Sequence, residues 1–250
     1  MQSGLSERIL ILEGSSNIRD IGGYVTHNGK VTRWKTLLRS ASMDQITAAG
    51  QQGLLDYGVK HIIDLRDVRE TETTPNVFAR STAVYYCNCP VIGMDDVNKA
   101  IANYIKLHEM YIIILEQCRT QIKNVLETIA EHLPRGPVVI HCWAGKDRTG
   151  VITALLLALV GVPADVIAAD YALSYELLLD RIDGWRVYNL ENGIDMNRFE
   201  EEVSSKPETM LATLEYLESR LGGVEAYLRA IGLSDATIDT LRTNLVEEAG

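Results

Sequence analysis

The stretch VVIHCWAGKDRTG, residues 138–150, runs from an apolar segment into Cys142. It then crowds Lys146, Asp147 and Arg148 into a short loop closed by Thr149 and Gly150. The apolar segment reads as a strand buried on both faces. TGVITALLLALVG (149–161) is apolar on nearly every side and reads as a central helix. A loop between such a strand and helix turns its backbone N–H groups inward, and the helix adds its own unpaired N–H groups and positive dipole end. The product is an anion cradle. Gly145 lets the backbone fold tightly, and Gly150 lets the helix lie close to the sheet.

A cysteine at the strand's end sits on the floor of this cradle. The N–H groups, Arg148 and the helix end are placed to favour its thiolate. A thiolate among anion donors suits attack on a tetrahedral phosphate. Arg148 can grip two oxygens at once, which a lysine does less well, and Thr149 can donate a hydrogen bond to the sulfur. The plainer reading is an inert core thiol beside helix-capping charges. It fits an isolated Cys-x5-Arg, but not His141 in front and GKDRTG behind. The other cysteines, at 87, 89 and 118, have Gly93, Asp95 and Asn124 six residues on, never arginine. If Cys142 points into the cradle, His141 points away from it. It reads as a buried histidine bonded to the loop backbone rather than as a base.

The rest of the chain narrows the setting. Its 250 residues suffice for a substantial core, and we read 1–250 as a single domain. The formal charge of −10 argues against a nucleic-acid binder and makes a local knot of Lys and Arg more informative. The four cysteines have neither zinc-type spacing nor a disulfide framework, so reduced thiols, no metal and no cofactor are expected. MQSGLSERIL lacks a signal-peptide core, and VITALLLALVGV (151–162) is too short to span a bilayer. A cytoplasmic location follows as the expectation.

Around the loop, RILIL (8–12), VKHIIDLR (59–66) and STAVYYCNCPVI (81–92) read as strands. YVTHNGKVTRW (24–34) reads as a hairpin turning on Asn28-Gly29. MDQITAAGQQGLLDYG (43–58) is helical, and 96–133 is a long helical region broken near LHEM (107–110). PADVIAADYALSYELL (163–178) starts a helix with Pro163 in its first position. The stretch 183–206 shows no period and reads as a loop, insertion or lid. Two helices close the chain, the second capped by Ser234. Strands alternating with helices indicate an α/β fold, a central mainly parallel sheet flanked by helices.

On these residues the chain resembles the cysteine-dependent protein tyrosine phosphatases, whose signature is HCx5R, and in particular the bacterial and fungal branch carrying HCxxGKDRTG. NIRDIGGY (17–24), VKHIIDLRDVRE (59–70), ADYALS (169–174) and VEAYLRAIGLSDATIDTLR (224–242) match further marks of that branch, so the likeness covers roughly 8–247. It implies a metal-free double displacement with Cys142 as nucleophile and Arg148 as phosphate clamp. The phosphate loop would be Trp143, Ala144, Gly145, Lys146, Asp147 and Arg148. The general acid is then Asp147, within the loop, or Asp95 or Asp96 in GMDD (93–96); we favour Asp147, which is fixed beside the cradle.

Lys146 would be a rim cation, linked in the family to phosphoinositide use. Arg19 would sit beside the loop as a phosphate-binding residue, with Asp20 orienting Arg19 or Arg148. Asp64 and Arg66 would support the site from the sheet edge. The implied substrates are phosphotyrosine, phosphoserine/threonine or phosphoinositides. A soluble inositol phosphate, or a non-catalytic phosphate-binding module, are the alternatives. A sulfurtransferase or arsenate reductase would not be expected to combine this arginine with GKDRTG. The branch includes enzymes exported without a recognisable signal.

Overall fold

Strands that are apolar along their whole length need cover on both faces. The computed structural model, which describes residues 7–93, 95–101 and 104–249, shows how the chain supplies it. In chain order the elements are β1 (Arg19–Asp20), β2 (Lys30–Thr32), β3 (Leu37–Ser40), α1 (Ala48–Tyr57), β4 (His61–Asp64), α2 (Val68–Thr73), β5 (Tyr85–Asn88), α3 (Asp95–Ile101), α4 (Leu107–Gln117), α5 (Arg119–His132), β6 (Val138–His141), α6 (Asp147–Leu159), α7 (Ala164–Glu176), α8 (Leu179–Glu191), α9 (Met196–Val203), α10 (Pro207–Leu221), α11 (Val224–Ala230), α12 (Asp235–Leu245) and β7 (Val246–Glu248).

The sheet order is β1-β3-β6-β4-β5. All its pairings are parallel except β1 with β3. The expected mainly parallel sheet flanked by helices is therefore present. β2 and β7 pair antiparallel in a separate ribbon.

Period-two alternation splits the strands between two apolar layers. Leu37, Ile63, Val138 and Ile140 cluster with Ile122 and Leu126 of α5 and Ile152 and Leu155 of α6. Leu38, Ile62 and Val139 cluster with Leu54 of α1, Phe78 and Val84. Burial of β6 by both layers explains why Val138–Ile140 show no polar alternation.

Several boundaries differ from the sequence expectation. RILIL is not a strand: only Ile9 bridges, to Arg19, and Ile11 is exposed. In the hairpin only Gly29 is left-handed (φ 81°), and its N–H donates to Thr26 O at 3.0 Å. A three-residue loop with one glycine bulge replaces the two-residue turn. The helical region does break near LHEM, just before Leu107, and it breaks again at Cys118. Pro163 is the cap of α7 instead of its first residue.

The largest correction is 183–206, which forms most of α8 and α9. Leu178, Ile182, Phe199 and Val203 pack with Ala41, and Ala144 of the loop lies against them. Ser234 does cap α12, accepting from Thr237 N–H at 3.1 Å.

Candidate active site

The parallel strands end level with one another. Ser40 and Asp64 both register with His141, and Asn88 registers with Asp64. Cys142 is the first residue beyond that line and is 2% exposed. α6 begins at Asp147, so its unpaired N–H groups face the turn 142–146.

What shapes the turn is the fate of its carbonyls. Ala144 O accepts from Asn17 Nδ2 at 2.9 Å. Gly145 O accepts from Arg39 Nη2 at 2.8 Å, and Lys146 O from the same nitrogen at 3.4 Å. With three successive C=O groups tied outward, their peptide planes turn the N–H groups to the inside. Gly145 has φ 67°, and a Cβ there would lie 2.1 Å from Ser40 O, so the strained conformation and the close approach both require glycine. Trp143 O is held by Ser42 N–H at 2.9 Å.

Behind these ties is a buried ion network. Asp170 on α7 accepts from Arg19 Nε at 2.8 Å, Arg39 Nη1 at 2.6 Å and Tyr24 OH at 3.0 Å. Burial pushes its carboxyl up, but the two guanidiniums outweigh burial and hold it well below the usual carboxylate range. Arg19 also donates to Asn17 Oδ1, fixing the side chain that holds Ala144. Arg19 therefore acts on the loop through Asn17 and Asp170. Its guanidinium is fully buried and spent on those partners, which corrects its placement as a phosphate ligand.

Asp20 is likewise corrected. It accepts from Gly22 N–H, Lys35 N–H and Tyr57 OH, at 2.7, 2.7 and 2.6 Å, and bonds to neither Arg19 nor Arg148.

Arg148 is gripped at both terminal nitrogens by Glu70 of α2, with Nη2 to Oε1 at 2.9 Å. Burial works to raise the Glu70 carboxyl, and Arg148 outweighs it and holds the group below its usual range. The same carboxylate accepts Asp67 N–H at 2.8 Å as half of a capping box. Glu70 thus fixes Arg148.

His141 is buried, with Nδ1 3.1 Å from Cys142 O and Nε2 2.9 Å from Asn76 Nδ2. Burial, resisted by Asp64, keeps its imidazole below the ordinary value and neutral. Donation from Nδ1 to the loop carbonyl fits that state, as the sequence suggested. Asp64 lies 3.5 Å from His141 Nε2 and takes Arg66 in a buried pair at 2.7 Å. Thr149 Oγ1 is buried and has no hydrogen-bond partner among the described residues, so the expected bond to the sulfur is not formed here.

Lys146 is the clearest reversal. It is 2% exposed, and its Nζ donates to Glu202 O and, at 2.8 Å, to Ser204 O. It is not at a rim. Its four-carbon stem carries the charge to the C-terminal carbonyls of α9, where the helix dipole favours a cation. Lys146→Met is therefore expected to cost about 2–3 kcal/mol in urea unfolding and to hasten proteolytic cleavage within 179–206. A loss below about 0.5 kcal/mol would return Lys146 to solvent.

Asp147 Oδ1 accepts from Tyr111 OH at 2.6 Å and lies 3.2 Å from Lys146 Nζ. Tyr111 in turn bonds Tyr171 OH at 2.7 Å. The side chains of Asp95 and Asp96 lie outside the described residues. No group of three or more His, Cys, Asp or Glu among the described residues is placed to hold a metal ion. None of their helices is long and apolar enough to cross a membrane.

Glu70, Arg39, Asp170, Asn17 and Tyr111 were missed from sequence. Two left a signal: Asp67-x-x-Glu70 is a capping box at a strand's exit, and Asp170 is a carboxylate inside an apolar helix.

The chain is similar to known proteins. The chain is 33% identical over 221 residues to a tyrosine-protein phosphatase of Nostoc commune, covering 83% of this chain and 73% of that one. It is 25% identical over 274 residues to the triple specificity protein phosphatase PtpB of Mycobacterium tuberculosis, covering 92% and 96%. Among solved structures it is similar to P. aeruginosa TpbA at 16% identity and a TM-score of 0.35, over 90% of this chain and 95% of that one. The family model described as the tyrosine phosphatase family matches residues 10–247, so the cradle, the ion network behind it and the C-terminal helices all lie inside that match, and the chain belongs to the tyrosine phosphatase family.

Proposed function

We propose that the chain is a single-domain phosphatase that hydrolyses phosphomonoesters, phosphotyrosine foremost, through a phospho-cysteine on Cys142. The observation that carries this reading is the outward tying of the carbonyls of 144–146 beside an Arg148 fixed by Glu70. N–H groups and a guanidinium aimed before substrate arrives stabilise the charge that spreads over the phosphoryl oxygens in flight. The Cys142 sulfur attacks phosphorus, and the bond to the leaving oxygen breaks as that oxygen takes a proton. Water then attacks the phospho-cysteine, returning the thiolate and releasing inorganic phosphate.

We assign the proton to Asp147. Tyr111 and Lys146 both approach Oδ1, which leaves Oδ2 to carry it. Asp147→Asn is expected to lower kcat on a poor leaving group by about 10²-fold or more, and by far more than Asp95→Asn or Asp96→Asn. The reverse ranking would move the acid to the start of α3.

The name of the M. tuberculosis relative, a triple specificity phosphatase, supports testing more than phosphotyrosine. The burial of Lys146 weakens the argument it made for phosphoinositides. The deciding measurement is kcat/KM on phosphotyrosine and phosphoserine/threonine peptides, and on mono- and bis-phosphorylated phosphoinositides. Phosphotyrosine should lead. Binding of phosphate without turnover of any of these would instead make the chain a phosphate-binding module. Four free cysteines, one of which must work as a thiolate, suit a reducing compartment such as the cytoplasm.

A further inference from the structure

With Lys146 withdrawn, the cation left beside the loop among the described residues is Arg181 on α8. Its guanidinium carbon stands 5.7 Å from the Trp143 ring centroid and 5.2 Å from that of Trp185. Two indole faces hold it in place and leave its N–H groups free. Among the described residues it forms no hydrogen bond and no ion pair. Its neighbours differ in this: Arg19, Arg39, Arg66 and Arg148 each hold a carboxylate, and Arg186, farther along α8, holds Asp183 and Glu200.

In a chain of net charge −10, a half-buried arginine without a paired carboxylate is an exception with a cost. Burial lowers its pKa, and the charges it answers to are Asp44 and Cys142. Asp44 is itself taken up by Ser42 Oγ and Gln45 Nε2, at 2.5 and 3.1 Å. The guanidinium therefore stands beside the loop at Trp143 with its bonding capacity unused.

We propose that Arg181 is a specificity-determining residue that takes a second anionic group of the substrate, the carboxylate of an acidic residue beside the phosphotyrosine. The inference rests on the phosphatase reading above and names the class of phosphopeptide it prefers. Three observations favour a peptide over a polyphosphorylated inositol ring. A single cation matches a single carboxylate. Lys146, which a further ring phosphate would need, is committed to two carbonyls and Asp147. Beside the loop lies a cleft of about 400 Å³ whose wall joins Trp143, Ile182, Trp185 and Phe199 to Lys146, Asp147 and Glu202; the aromatic faces suit apolar peptide side chains, and the two carboxylates oppose a polyanionic ring.

The test uses two phosphotyrosine peptides that differ only in Glu or Gln at the positions flanking the phosphotyrosine. p-Nitrophenyl phosphate and a bis-phosphorylated phosphoinositide are run in parallel. For the wild type, kcat/KM should favour the Glu peptide by about tenfold, a preference that shrinks as salt is added. Arg181→Gln should bring the ratio to about one. Arg181→Glu should invert it, and Arg181→Lys should keep part of it.

A wild-type ratio near one, or a ratio untouched by Arg181→Gln, would overturn the proposal even with p-nitrophenyl phosphate turned over normally. A loss of kcat/KM in Arg181→Gln confined to the phosphoinositide would overturn it in favour of a lipid phosphate. No turnover of any substrate by the wild type would overturn the phosphatase reading, and this inference with it.

Discussion

Asp170→Asn is expected to cost about 3–5 kcal/mol of stability and to disable the site with it. The carboxylate is buried and counterbalances two buried guanidiniums at 2.8 and 2.6 Å. Asparagine keeps the size but removes the charge, and it turns an N–H₂ donor toward an arginine donor. Neither guanidinium can escape to water, because Arg19 and Arg39 are both buried. The loss is a large share of the roughly 5–15 kcal/mol that keeps an ordinary domain folded.

The pH dependence follows from the sign of the shift. The folded carboxyl is held below its unfolded value, so its contribution is complete above about pH 4 and fades only as pH falls below that. The stability gap between wild type and variant should therefore stay flat from about pH 5 to 8. Urea titrations followed by circular dichroism at three pH values would show this. A gap under about 1 kcal/mol would mean that the cluster behaves as an exposed ion pair.

Cys142→Ser should have the largest effect on rate, lowering kcat/KM by about 10⁴-fold or more. A hydroxyl at that position remains protonated where a thiol can ionise. The cradle itself does not involve the side chain. Its N–H groups are aimed by Asn17 and Arg39, and Arg148 is held by Glu70. The variant should therefore still bind a phosphotyrosine peptide, within about threefold of wild type once turnover is prevented. Acid quenching of the wild type during turnover should trap one phosphoryl group on the peptide containing Cys142, and none in the variant. Retained turnover, with the phosphoryl group on another residue, would move the chemistry off this cysteine.

The two residues just discussed differ in how readable they were. Cys142 and the Arg148 six residues on declare themselves within one loop, because their relation is set by the local chain. Asp170 and Arg39 are 131 positions apart, and Glu70 and Arg148 are 78 apart. No local pattern carries such pairings; only the sheet order brings them together. The strands were legible because both faces of β6 and β4 are apolar. The helices over 179–203 were not. Val187, Tyr188, Leu190 and Ile194 are apolar yet exposed, so they blur the period that marks a helix.

Lys146 was misread for a different reason. A charge next to Asp147 and Arg148 invites a shared role, but a long flexible stem lets the ammonium act where its backbone is not. The sequence pattern therefore located the loop correctly while misplacing one of its charges.

The outward ties of the loop also bear on how the protein folds. Asn17 reaches across 127 positions to Ala144, Arg39 across 106 to Gly145, and Lys146 across 56 to Glu202. Contacts of such separation form only after the chain has closed its largest loops. An isolated fragment spanning β6 and α6 would carry the whole signature and still lack the cradle. On the proposed function, phosphate affinity is thus expected only late in folding, and a partly folded chain would keep a cysteine without the means to use it.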